Sequence, residues 1–181
     1  VTQITDDRFD DLEPSWMPNS SELVFSSDRP HPENAVLDAG GHPYLKSKDA
    51  FMPGNFEYGT YNLFRVDLKT KRVDPVDVGP GQNKFPRVSP DGTKIAFISN
   101  RSGIDNIYIG YLDSVKYFAV TNILTGIRSI SWSPEGDELA FSAFHKGAFD
   151  ILLLKDLAPV GDNGVLEPTD FVLGKYDLLG D

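Results

Sequence analysis

Three stretches of this chain carry one pattern, and that repetition limits the possible folds more than any other feature. They are Ser15-Trp16-Met17-Pro18-Asn19-Ser20-Ser21-Glu22-Leu23-Val24-Phe25-Ser26, Arg87-Val88-Ser89-Pro90-Asp91-Gly92-Thr93-Lys94-Ile95-Ala96-Phe97-Ile98 and Ser131-Trp132-Ser133-Pro134-Glu135-Gly136-Asp137-Glu138-Leu139-Ala140-Phe141-Ser142. Each reads as strand, turn, strand. Proline fixes φ at the start of the turn, an acid follows that can bond the backbone ahead, and Gly92 or Gly136 supplies the positive-φ position of a tight hairpin. The first copy has Asn19-Ser20 instead; asparagine tolerates the left-handed region, so a looser turn is expected there. After the turn each copy runs Leu or Ile, then Val or Ala, then Phe, a short apolar run suited to burial between packed sheets.

Spacing turns the repeat into an architecture. The second and third copies lie 44 positions apart (Phe97 to Phe141), the first and second 72 (Phe25 to Phe97). A further strand-like run follows each copy, Asn62–Val66, Asn106–Gly110 and Asp150–Leu154, and these are 44 apart both times. The surplus therefore falls between Phe25 and Asn62, making residues 30–60 an insertion in one loop of the first repeat. A period near 44 is that of a four-stranded β-propeller blade. Outer strands are expected at Arg72–Val76 and Lys116–Val120, where Pro75 suits an edge that leaves no N–H to pair. Val1–Thr5 echoes the end of that strand, Ile4-Thr5-Asp6 against Val120-Thr121-Asn122, so the chain is expected to open on an outer strand. Val160–Val165 is turn-like, which leaves the third blade without its own fourth strand. The expected fold class is all-β: a β-propeller fragment of three four-stranded antiparallel blades over residues 1–157, with 158–181 a tail, a linker or the start of another element. Three blades do not close a ring, since propellers use about four to eight. The remaining blades are expected from a longer parent chain, from which this one was excised, or from a second copy.

Charge and composition narrow the function classes. The formal charge is −10, from 27 acidic against 17 basic side chains, which disfavours nucleic acid and favours basic partners or cations. Cysteine is absent, so disulfides, thiol nucleophiles and cysteine metal sites are all excluded. No apolar run is long enough for a membrane span. The sequence contains no Gly-x-Ser-x-Gly elbow, no His-Glu-x-x-His and no phosphate-cradling glycine loop, so no catalytic residue and no cofactor are assigned.

In a four-stranded blade the loops after the second strand and before the first open on one face. That face gathers Ser26–Arg29, Ser99–Arg101 and Ala143–His145, the between-blade loops Asp6–Glu13, Gly79–Lys84 and Asn122–Arg128, and the insertion, which is rich in Pro, Gly and aromatics. Long loops of that kind either bind a partner or cap exposed core. The binding candidates are Asp28, Arg29, His42, Tyr44, Phe51, Phe56, Tyr58, Arg101, Phe144 and His145. For Asp28-Arg29 and Asn100-Arg101 the plainer reading is that the planar guanidinium ties adjacent blades together. The acidic run Asp6, Asp7, Asp10, Asp11 and Glu13 is the one place suggesting Ca²⁺; it lacks EF-hand spacing and reads first as a solvated loop. His31, His42 and His145 have no metal-ligand spacing. Trp16 and Trp132, at equivalent strand positions, read as core.

Ser89-Pro90-Asp91-Gly92-Thr93-Lys94-Ile95-Ala96-Phe97-Ile98-Ser99-Asn100-Arg101-Ser102-Gly103, followed by Asn106-Ile107-Tyr108-Ile109, resembles the WD-like repeat of the TolB-type propellers. More narrowly, Thr5–Trp16 and Phe141–Gly147 look like the propeller segment of large bacterial TolB-like proteins that also carry a metallopeptidase-like domain. The resemblance implies a periplasmic or otherwise extracytoplasmic, non-catalytic propeller that binds a protein or peptide on one face. The alternative it implies is an accessory propeller that gates or supports a peptidase, lyase or other enzyme domain absent from this chain. No metallopeptidase motif is present, so no peptidase activity is carried over.

Overall fold

The apolar runs that follow each proline turn become the second strands of three separate antiparallel sheets. The fold is a computed structural model that describes residues 1–29, 60–170 and 173, together with the backbone of 35–37 and 43–45. The first sheet begins with β1 (Asp11–Trp16) and β2 (Glu22–Ser27). The chain then forms a separate two-stranded hairpin, β3 (Ala35–Leu37) with β4 (Pro43–Leu45), before completing the sheet with β5 (Asn62–Asp67) and β6 (Val73–Val76). The second sheet holds β7 (Asn83–Val88), β8 (Lys94–Ser99), β9 (Asn106–Tyr111) and β10 (Tyr117–Ala119); the third holds β11 (Ile127–Trp132), β12 (Leu139–His145) and β13 (Ala148–Leu154). Strands neighbour one another in chain order within each sheet, inner to outer, and no helix is present among the described residues. These are three consecutive propeller blades, the last with three strands.

Side chains alternate across a strand, so each blade has two apolar faces, and the blades stack face to face. The back of blade 1 (Val24, Leu63) meets the front of blade 2 (Ile95, Phe97, Tyr108) in one cluster. The back of blade 2 (Ala96, Ile98, Ile107, Ile109) meets the front of blade 3 (Leu139, Phe141, with Leu152 and Leu154) in another. The front of blade 1 forms a third from Phe25, Phe64 and Val66, packed by Ile4, Leu23 and Val73. Phe97 stacks on Tyr108 at 5.9 Å and Phe25 lies tilted on Phe64 at 6.3 Å, equivalent positions in adjacent blades.

The turns differ from expectation in one detail. In blade 2 the Ser89 hydroxyl and the Thr93 N–H and hydroxyl all donate to Asp91, which holds that carboxyl at about 2. In blade 1 the Asn19 side chain takes the same bonding role, accepting the Ser21 N–H, and the left-handed residue is Ser20, with φ 56°, not the asparagine. The Asn side chain is more use as an acceptor, and the next residue inherits the backbone strain.

Two sequence expectations are corrected. Residues 1–10 contain no strand: Val1–Thr5 makes no ladder bonds, because a strand needs a partner edge and blade 1 has already filled its own with β6. Ile4 nevertheless rests on Leu23 and Val73, and the Lys71 ammonium donates to the Gln3 carbonyl. Trp16 is not core but 62% exposed. Its counterpart Trp132 packs against blade 2 and donates its indole N–H to the Arg87 carbonyl at 2.8 Å; Trp16 has no preceding blade to do this with.

Residues 155–170 turn back over blade 2. The Val160 N–H donates to the Ala119 carbonyl, the Ala119 N–H to Gly164, and the Thr169 N–H to Ser102, while Leu166 joins the cluster between blades 1 and 2. The outer edge of β10 is thereby covered.

Candidate binding face

The loop face is built by bonding each between-blade loop to the turn after the second strand of the same blade. In blade 1 the Asp10 N–H donates to Asp28, and Arg29 reaches both Asp7 and Asp11. In blade 2 the Gln82 N–H donates to the Asn100 side chain, and the Asn100 N–H to the Gln82 carbonyl. In blade 3 the Phe144 N–H donates to the Gly126 carbonyl. Six loops from three blades therefore share one end of the molecule.

Arg29 and Arg101 occupy equivalent positions with different surroundings. Arg29 is 4% exposed, lies between Asp7 and Asp11, also bonds Ser27, and sits 5.3 to 5.7 Å from the ring centres of Phe25, Phe9 and Phe64. Burial pulls its pKa down, but hydrogen bonds and charge from the two aspartates push harder, and the net shift is upward. Arg101 bonds Ser99, the Val78 carbonyl and Asn83, and lies 4.4 Å from the Tyr108 and Tyr117 ring centres. Where blade 1 has Asp11, blade 2 has Asn83, so among the described residues Arg101 is bonded to no carboxylate and its Nη1 is buried without a hydrogen-bond partner. Burial then dominates and its pKa is lowered. Both guanidiniums fasten a connecting loop to its own blade.

Blade 3 replaces arginine with His145, whose Nδ1 lies 3.1 Å from Asp150, and the space above the sheet is taken by Phe144 edge-on to Phe149 with Arg128 over that ring. Of the sequence candidates, Asp28, Arg29, Arg101, Phe144 and His145 are thus brought to one end of three adjacent blades. His42, Phe51, Phe56 and Tyr58, and likewise His31, lie outside the described residues; Tyr44 is in β4, described by its backbone alone. Of the acidic run, Asp7 and Asp11 are engaged by Arg29, and Glu13 by an inter-blade contact.

That contact was not legible beforehand. Glu13 and Phe85 hold equivalent bulge positions in β1 and β7 and both are left-handed, φ 58° and 55°. The bulge frees the Phe85 N–H from its ladder, and it donates to the Glu13 carboxylate of the preceding blade at 2.7 Å; the Ser26 hydroxyl donates to the same oxygen. Tyr61, just before β5, was also missed. Its phenol is pushed up by burial and then by the charges of Asp10, Asp28 and Glu13, while the Lys84 ammonium lies 4.7 Å over its ring. Only the shared repeat position of residues 13 and 85 was available as a signal.

Three stacked antiparallel sheets of one repeat define a β-propeller segment, and its fold is that of the TolB type. No known family profile matches the chain. It is 33% identical over 81 residues to the uncharacterized peptidase YuxL of Bacillus subtilis, and 28% over 90 residues to the uncharacterized protein Atu1656 of Agrobacterium fabrum. Those matches take in 44% and 50% of this chain but 12% and 31% of the relatives, so the chain spans a minor part of either. Among solved structures, a putative TolB from Agrobacterium tumefaciens is similar with a TM-score of 0.61 at 16% identity, over 87% of this chain and 49% of that one. TolB from Acinetobacter baumannii is similar at 0.50 and 18%, over 87% and 44%. Oligogalacturonate lyase from Vibrio parahaemolyticus is similar at 0.55 and 13%, over 85% and 38%. Identities this low speak for the fold alone.

Proposed function

We propose that this segment is the non-catalytic binding part of a larger or assembled propeller located outside the cytoplasm, and that it takes a basic protein or peptide on its loop face. The observation that carries the reading is the meeting of six irregular loops at one end, with Asp10, Asp28 and Glu13 acting together on Tyr61. On a chain of net charge −10, such a face attracts Lys- and Arg-rich segments and repels acidic ones. The chain leaves β2 for residues 30–60 and re-enters the sheet at β5 from this same end. The resemblance to TolB-type propellers supports a protein partner and a periplasmic setting; among the described residues no helix is long and apolar enough to cross a membrane. A second reading, an accessory propeller beside an enzyme domain in a longer protein, is favoured by the match to a relative named as a peptidase.

Fluorescence anisotropy with labelled Lys/Arg-rich and Glu-rich peptides of equal length tests the first reading. Binding is expected for the basic series, weakening with salt, and lost when residues 30–60 are replaced by a short Gly-Ser linker that leaves the circular dichroism unchanged. Undiminished binding after that replacement, or equal binding of acidic peptides, overturns it.

A further inference from the structure

At the seam between blades 1 and 2 the loop face already holds a cationic side chain of its own. The Lys84 ammonium, near the start of β7, lies 4.7 Å over the ring of Tyr61, the residue just before β5. Both side chains are half-buried, and the backbone on either side of Lys84 is pinned across the seam. The Asn83 N–H donates to the Tyr61 carbonyl, and the Phe85 N–H donates to the Glu13 carboxylate, each at 2.7 Å. The seam is internal to the array, between two blades of four strands each.

The register of blade 1 lines up the remaining groups. Asp11 faces Ser27 and Ser27 faces Asn62, so one step further Asp10, Asp28 and Tyr61 stand in a row across the sheet, with the Asp10 N–H donating to Asp28 at 2.9 Å. Together with Glu13 these carboxylates act on the Tyr61 phenol. An aromatic face flanked by carboxylates holds alkylammonium and guanidinium groups. The group found on this ring is an alkylammonium. Lys84 also has a second place to go. Asp105 stands in blade 2 at the repeat position of Tyr61, 44 residues on and just before β9. Desolvation raises its carboxyl and the Lys84 charge opposes that rise, while among the described residues no salt bridge to it is formed.

We propose that the Tyr61 ring is the seat for one lysine or arginine side chain of the basic partner, and that Lys84 is a built-in occupant which the partner displaces toward Asp105. This rests on the reading of the loop face as a site for basic segments and adds its regulation. The seat is filled until a segment offers a cation at this seam; an acidic or neutral segment leaves Lys84 on the ring. Self-occupancy lowers the apparent affinity in proportion to the filled fraction, about three- to tenfold for a contact of this kind.

Two measurements on the full chain test this. Ring current places the Lys84 ε-methylene protons upfield, an assignment checked by their return in Tyr61→Leu. Saturation with the Lys/Arg-rich peptide is expected to move them to the position of the other lysines. Lys84→Ala is expected to tighten that peptide about three- to tenfold, and Arg128→Ala, which removes the same charge at the equivalent position of the next blade, by less than about twofold. A peptide that binds while Lys84 stays upfield, or equal gains from the two variants, overturns the displacement and leaves the basic-segment reading standing. The seat is also read with no peptide present. n-Butylammonium is expected to shift the Tyr61 ring signals of the Lys84→Ala chain saturably, with n-butanol inert and the unsubstituted chain responding about tenfold more weakly. Absence of that saturable shift overturns the proposal even where peptides bind. Butylammonium binding with no basic peptide bound by either chain overturns the basic-segment reading, and the displacement with it.

Discussion

Replacing Arg29 and Arg101 in turn by methionine separates two roles that one repeat position plays. Methionine keeps most of the apolar stem, so the change isolates the charged head. At Arg29 the head lies between two aspartates that are 17% and 18% exposed, and its removal leaves both facing each other with little water. Breaking a buried pair from one side costs about 3–5 kcal/mol, and residual access of water to both carboxylates reduces that to about 3 kcal/mol. For a chain of this size, that lowers the midpoint of melting by about 6–12 °C. At Arg101 no carboxylate is abandoned, one guanidinium nitrogen is already unpartnered, and a desolvated charge is removed; the loss is expected near 1 kcal/mol. Urea denaturation followed by circular dichroism gives both numbers from one assay. Adding Asp11→Asn to Arg29→Met is expected to restore stability, although Asp11→Asn alone costs it, and that sign change is the signature of the pair. Equal losses for the two methionine variants would refute the reasoning, since they would mean that the aspartates contribute nothing.

Three further outcomes follow from particular contacts. Glu13→Ala removes the acceptor of the Phe85 N–H and the Ser26 hydroxyl and is expected to cost about 1–3 kcal/mol, with faster amide exchange at Phe85; unchanged exchange would exclude the inter-blade bond. Gly164→Ala places a Cβ 2.3 Å from that of Phe118 at a φ of 85°, so the segment over β10 must shift, and the Ala119 amide is expected to lose protection in hydrogen exchange. Asp91 has its folded pKa held below the unfolded value, so its contribution is complete above about pH 4 and is lost as the pH falls toward about 2; Ser89→Ala should raise the pKa seen by carboxyl NMR, and no movement would remove Ser89 as the cause.

Much of the architecture was legible because a repeat reports long-range order through local sequence. The Pro-acid-Gly turns located the hairpins, and the offset of Phe25 from Phe97 located the insertion; both depend on residues a few positions apart. What escaped depends on neighbours far away in sequence. Trp16 and Trp132 look alike as letters, and only the presence or absence of a preceding blade separates an indole bonded to Arg87 from one facing water. Val1–Thr5 has the outer-strand pattern, but a strand exists only against an edge. Among the site candidates, the arginines were recognised by type, while their differing chemistry came from one substitution across the repeat, Asp11 against Asn83. Glu13 was seen as one acid among several because its role requires a left-handed bulge in the strand, and no residue type announces that.

The segment from Val160 to Thr169 changes how the blades depend on one another. In an array of stacked repeats each unit touches its neighbours alone, so end units can fray and melt separately. Here the segment that leaves the third blade is laced along the second and places Leu166 in the seam shared by the first and second. Detaching the last blade then strips a side chain from a seam one unit removed. Melting becomes a collective event, in which the weakest unit borrows the strength of the most deeply packed one.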